Sequence, residues 1–184
     1  MMRKNSIDKN EISSKILQYG RDILNSDAFR KSSYQRHHLH GTVFEHTINV
    51  CIVCVRLTKQ YTARGVQINE KDLIQAALCH DLGMLERDRK YRGRLDSWKS
   101  HPEESVRIAK KLVPDLSREA QEIILTHMWP VAGPAPRSKE GRILCMADKY
   151  ASMADWRTWL TRHRFAERIK KQLDEQGILQ ADRK

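Results

Sequence analysis

The chain has no long hydrophobic run. Its longest apolar stretch, INVCIVCV at 48–55, is interrupted and short, well under the ~20 residues a membrane-spanning helix needs. The N-terminal MMRKNSIDKNEI has no apolar segment of the kind a secretory leader carries. No membrane partner and a cytoplasmic location are therefore expected. Cysteine is scarce as well. Four cysteines in 184 residues do not make the disulfide framework of a small secreted domain. No stretch alternates apolar and polar residues with the period of a strand, and no repeat or low-complexity tract occurs. Acidic residues are outnumbered, 23 against 34 lysines and arginines, which leaves a net charge of +11. A balance this basic suits phosphate-bearing molecules, from nucleotides to nucleic acid, though a basic chain can also be merely soluble.

What is present reads as helix throughout. Hydrophobic residues make up 40% of the chain and charged ones 31%, enough apolar content for one domain with a real core. Ile12, Ile16, Tyr19 and Ile23 recur at helical spacing, and Phe44, Ile48, Cys51 and Val55 do so over about 44–62. Asn69-Glu70 opens a helix that runs through Leu73 and Ala77 to His80, with Gly83 as its C-cap. Residues 29–42 read as a His-, Ser- and Arg-rich loop, and 85–100 as a long charged loop. Pro102, Glu103 and Glu104 suit the start of a helix that stops at Pro114. Ser117 caps the next helix, which ends at His127. After the loop MWPVAGPAPRS, Glu140–Met153 forms another helix, and Trp159, Ala166, Ile169 and Leu173 mark a last one. The expected class is all-α, in a single domain over 1–184.

Six residues of metal-binding type stand out: His46, the adjacent pair His80-Asp81, His101, His127 and Asp148. Adjacent residues do not share a helix face, so His80 and Asp81 can both aim at one centre only where a helix ends. Taken singly, each histidine also reads as a hydrogen-bonded core residue. Asp148 is harder to place that way. It lies among Leu144, Ala147 and Ala151, and an ionised carboxylate on an apolar face needs a partner or a cation. One shared ion would satisfy Asp81 and Asp148 together.

The order His46, His80-Asp81, Asp148, with the first two histidines 34 positions apart, resembles the HD-domain superfamily of metal-dependent phosphohydrolases. The surrounding stretches GTVFEHTINV, AALCHDLGM, SHPEESVRIA, ILTHMWP and ILCMADKYASM agree, over roughly 38–153. The resemblance implies a compact helical bundle. It implies metal ligands at His46, His80, Asp81 and Asp148, with His101 and His127 at the positions of a second ion's ligands in two-metal members. One or two divalent ions would be held, and iron, manganese, magnesium, zinc, nickel and cobalt are not distinguished. Asp81, His101 and His127 are the implied catalytic residues, either histidine protonating the leaving group where it is not a ligand. The implied reaction is hydrolysis of a nucleotide or other small phosphoester by metal-activated water. HD proteins that cleave cyclic di-GMP carry a second histidine where this chain has Met128, and the lysine that often follows the HD pair is Met84 here. The stretch HDLGM and the triplet ADK are closer to small single-domain members, among them those that cleave diadenosine tetraphosphate symmetrically.

Two other classes stay open. HD proteins of the myo-inositol oxygenase type use similar ligands for oxygen chemistry, and a basic HD module can bind nucleic acid or regulate without turnover. Lys149, Arg137, Arg142, Arg89, Arg92 and Arg94 are candidate phosphate clamps, or simply a solvated basic surface. Arg157–Lys171 is a second basic region. Cys51 and Cys54 form a CxxC on an apolar helix face, which reads as core packing rather than redox or zinc chemistry. His40 is placed at the mouth of the site, and His37 and His38 read as exposed loop residues. Trp98 and Trp129, near His101 and His127, either stack on a base or pack. Nothing in the sequence sets the oligomeric state.

Overall fold

The computed structural model describes residues 9–37 and 41–153, with isolated positions 167, 170, 171, 174 and 175 beyond them. The expected last helix and most of the second basic region lie outside these residues, as do His38 and His40. The class is all-α. Among the described residues the helices are α1 (Lys9–Leu24), α2 (Asp27–Ser32), α3 (Val43–Thr62), α4 (Glu70–Cys79), α5 (Arg87–Lys90), α6 (Arg94–Leu112), α7 (Arg118–Thr126) and α8 (Lys139–Ser152), with a 3₁₀ turn at Leu82–Met84. None is long and apolar enough to cross a membrane.

Polar caps set where these helices begin. Ser26, Asn69, Ser117 and Ser138 each accept a hydrogen bond from the backbone N–H three residues on. Thr42 and Glu45 form a reciprocal capping box, which places His46 at the end of the first turn of α3. Burial then arranges the bundle. Every residue of α4 from Asp72 to Cys79 is buried, so α4 is the central helix. It packs against α1, α3, α7 and α8, and α3 also packs against α8. Phe29 meets Phe44 edge-on at 5.4 Å and ties α2 to α3. Fully burying side chains of this kind contributes roughly 1.5–3 kcal/mol each.

The structure corrects four expectations. Part of the supposed loop 29–42 is α2, whose Phe29 and Ser32 are buried. The supposed loop 85–100 contains α5 and the first two turns of α6. Pro102 does not start a helix but lies inside α6. Having no N–H, it cannot close the i→i−4 bond to Trp98, and the helix continues on either side of that missing link. Gly83 caps nothing. It sits in the 3₁₀ turn, where an added Cβ would lie 2.2 Å from the His101 carbonyl oxygen, so only glycine lets this turn approach α6 so closely.

Candidate metal centre

The ends of several helices converge at one buried point. α4 stops at Cys79, His80 is its C-cap, and Asp81 leaves the helix with φ −110° and ψ 8°. This is the helix end that the adjacent pair required. His127 is the C-cap of α7, His101 lies in α6, Asp148 in α8, and His46 in the first turns of α3. All six are buried.

Three of the histidines are aimed in the same way. His80 Nδ1 lies 2.8 Å from the Ala77 carbonyl, His101 Nδ1 2.7 Å from Ser97, and His127 Nδ1 2.7 Å from Ile124. A carbonyl only accepts, so each Nδ1 carries the proton and each Nε2 presents its lone pair inward. His101 Nε2 then faces His127 Nε2 at 3.0 Å, and His80 Nε2 faces His46 Nε2 at 3.4 Å. Two lone pairs at such separations repel unless a proton or a metal ion lies between them. Metal-binding imidazoles characteristically have the other nitrogen held by a backbone carbonyl or carboxylate. The residues therefore fit a transition-metal ion.

The carboxylates complete the arrangement. Asp81 Oδ1 is 3.2 Å from His101 Nε2 and 3.6 Å from His127 Nε2. Its Oδ2 is 3.4 Å from His80 Nε2 and 3.6 Å from His46 Nε2. Asp81 thus reaches two groups of imidazoles with its two oxygens. Asp148 Oδ1 is 3.0 Å from His46 Nε2 and 3.9 Å from His80 Nε2. Burial alone would raise both carboxyls. The imidazoles around them outweigh it and hold both below the usual carboxylate range, Asp81 through His80, His101, His127 and His37, and Asp148 through His46, His80 and His127. Burial pushes His127 down, whereas in His101 the Asp81 carboxylate overcomes burial and pushes it up.

His37 also belongs to this cluster. Read as an exposed loop residue, it is instead 5% exposed, with Nε2 2.7 Å from Asp81 Oδ2. It lies outside any helix, so no periodicity could have flagged it. The only signal was its presence in a histidine-rich segment just before α3.

The candidate phosphate clamps are less convergent. Lys149 flanks the cluster, its Nζ 3.0 Å from the His127 carbonyl and 3.8 Å from Asp148 Oδ2. Arg89, Arg92, Arg94, Arg137 and Arg142 are exposed, and none makes a hydrogen bond or ion pair with the cluster among the described residues. Arg94 lies over the Trp98 ring at 4.9 Å. Arg94 and Trp98, with Arg87, Tyr91 and Met84, line a recess of about 170 Å³. One bond joins the recess to the cluster: the carbonyl of its wall residue Ser97 accepts from His101 Nδ1, while Tyr91 donates to the carbonyl of Gly83, two residues after Asp81, at 3.0 Å. Trp129 is 43% exposed. The four cysteines are free and buried, and CxxC is core.

Residues 43–153 match the family model of the HD domain. No curated protein and no solved structure matches the chain. The match covers more than half of the sequence and spans His46, His80, Asp81, His101, His127 and Asp148, so the chain belongs to the HD-domain family, broadly a superfamily of metal-dependent phosphohydrolases.

Proposed function

We propose that the protein is a metal-dependent phosphohydrolase acting on a nucleotide or another small phosphoester. The observation that carries this reading is the convergence of His80, His101 and His127, each with Nδ1 bonded to a carbonyl and Nε2 turned toward Asp81. Divalent ions bound there would supply Lewis-acid charge for phosphate oxygens and lower the pKa of water.

The protein's own residues do the rest. Asp81, His46, His80 and Asp148 would hold one ion, and Asp81, His101 and His127 would hold a second, or either histidine would donate a proton to the leaving group. Asp81, His101 and His127 are the catalytic residues in this reading. Lys149, whose Nζ lies 3.0 Å from the His127 carbonyl beside the cluster, would meet a phosphate oxygen. The recess beyond Ser97 offers two aromatic rings and two guanidinium groups, a lining suited to a base or sugar bearing phosphates. Of the candidate clamps Arg94 lines this recess, and Arg89, Arg92, Arg137 and Arg142 would add to the basic surface a phosphate-bearing substrate approaches.

The test is a panel of phosphomonoesters, phosphodiesters, nucleotides and dinucleoside polyphosphates, assayed with each first-row divalent ion. Hydrolysis of any of these, read as inorganic phosphate from monoesters or as the product monoester or nucleotide from the others, that disappears in His80→Ala supports the reading. No hydrolysis with any ion, together with oxygen consumption by the iron-loaded protein, would replace it with an oxygenase. Nucleic-acid binding without turnover would replace it with a regulatory module.

A further inference from the structure

We propose that His37 is a ligand of the same ion as His46, His80 and Asp148, a donor beyond the six residues singled out by the sequence pattern. This rests on the metal-centre reading above. Three overlapping triads have ligand atoms within 4.8 Å of one another: His46, His80, Asp148; Asp81, His101, His127; and His37, His46, Asp81. The third shares His46 with the first. A neutral imidazole nitrogen has one lone pair and serves one ion. The first and third triads therefore describe one ion and not two.

The geometry agrees. The His37 ring stacks on His46, with centroids 4.0 Å apart and planes 17° apart, so the two rings reach the centre side by side. Both Nε2 atoms approach the same oxygen, Asp81 Oδ2, at 2.7 and 3.6 Å. The other oxygen, Oδ1, faces His101 and His127. Donors are thus divided unequally: His37, His46, His80, Asp81 Oδ2 and Asp148 on one side, and Asp81 Oδ1, His101 and His127 on the other. A six-coordinate first-row ion held on the first side would have about one position left, and one on the second about three. Substrate oxygens and water would then bind mainly on the second side, and the first ion would be held the more tightly.

The backbone holds His37 as a built position. Its N–H donates to the Gly41 carbonyl at 3.2 Å and its carbonyl accepts from Arg87 at 2.9 Å. The Gln35 side chain accepts from the Glu86 N–H at 3.0 Å. Glu86 has φ 57°, an uncommon left-handed conformation for a non-glycine residue, at the point where the chain turns to bring Arg87 onto this segment.

The experiment is titration of the metal-free full chain with cobalt(II), followed by calorimetry and by the visible spectrum, for wild type, His37→Gln and His37→Gly. Glutamine keeps an N–H for Asp81 but is a poor ligand. The expected result is two cobalt ions of unequal affinity in wild type. In His37→Gln the tighter step weakens at least ~10-fold and its visible bands change, while the weaker step is unmoved. Added imidazole restores the bands in His37→Gly. Unchanged affinity and bands would overturn the proposal. So would weakened binding with unchanged bands and no imidazole rescue, which would leave His37 as a positioning residue for Asp81. A wild-type protein that binds neither cobalt nor any other first-row ion would overturn the metal-centre reading itself, and this proposal with it.

Discussion

Each of His80, His101 and His127 has one nitrogen committed to the backbone, so replacing any of them removes a candidate ligand whose ring is already oriented. His80→Ala, Asp81→Ala and Asp148→Asn should each lower metal affinity by about 10–100-fold or more, with helix content by circular dichroism retained. An alanine at 80 or 81 that kept full metal content by elemental analysis would show that the cluster is a core hydrogen-bond network. A second prediction concerns acid. Asp81 and Asp148 titrate below the ordinary aspartate value in the folded chain. Their contribution is therefore complete above the unfolded value of about 3.9 and is lost as pH falls through the lower folded values. The thermal midpoint of metal-free protein should drop steeply below about pH 4, and less steeply in Asp148→Asn. The thiols give a third. Burial raises all four, Cys145 to about 11. At pH 8 the native protein should react slowly with a thiol reagent, and four groups should react once it is unfolded. At this scale the sequence showed the six candidate ligands because their residue types, order and spacing stand out on or at the ends of helices. His37 escaped because its place is set by bonds to residues about 50 positions away.

At the scale of elements, the 3₁₀ turn after Asp81 is the part least tolerant of change. Gly83 donates its N–H to Ser105 Oγ at 2.9 Å, and a Cβ there would meet the His101 carbonyl and Ser105. Gly83→Ala should cost about 1–3 kcal/mol in denaturant unfolding, the usual cost of overpacking. It should also weaken metal binding, because the strain falls on the turn of α6 that carries His101. A neutral result would mean that the turn and α6 separate freely. Helices with a cap and an apolar face, α3, α4, α7 and α8, were legible within a residue or two. α2, α5 and the start of α6 were not. RLDSWKS and RDRK carry too few apolar residues to set a period, and DAFRKS is short, with Phe29 its only large apolar residue. Pro102 suited a helix start so well by local rules that its place inside α6, held by tertiary packing, was hidden.

Across the whole molecule, the excess of positive charge should act on encounter and binding more than on chemistry. Neutralising Arg89, Arg92 and Arg94 together should raise KM for a polyphosphorylated substrate and flatten its salt dependence, with a smaller effect on kcat. A collapse of kcat at unchanged KM would place one of these guanidinium groups at the reacting phosphate. If neither constant moves, the clamp is to be sought at Lys149, Arg137 or Arg142.

The meeting of His46 with Asp148, 102 positions apart, has a mechanical meaning too. An ion seated between them would be a removable crosslink riveting the third helix to the eighth, with the end of the fourth, which carries His80, beside it. At a free ion concentration of 1,000 times Kd it would add about 4 kcal/mol to folding, or roughly 8–16 °C in a domain of this size. Chelation should do more than silence the site: it should loosen the seam between α3 and α8 first, and amide hydrogen exchange in α8 should accelerate ahead of that in α4.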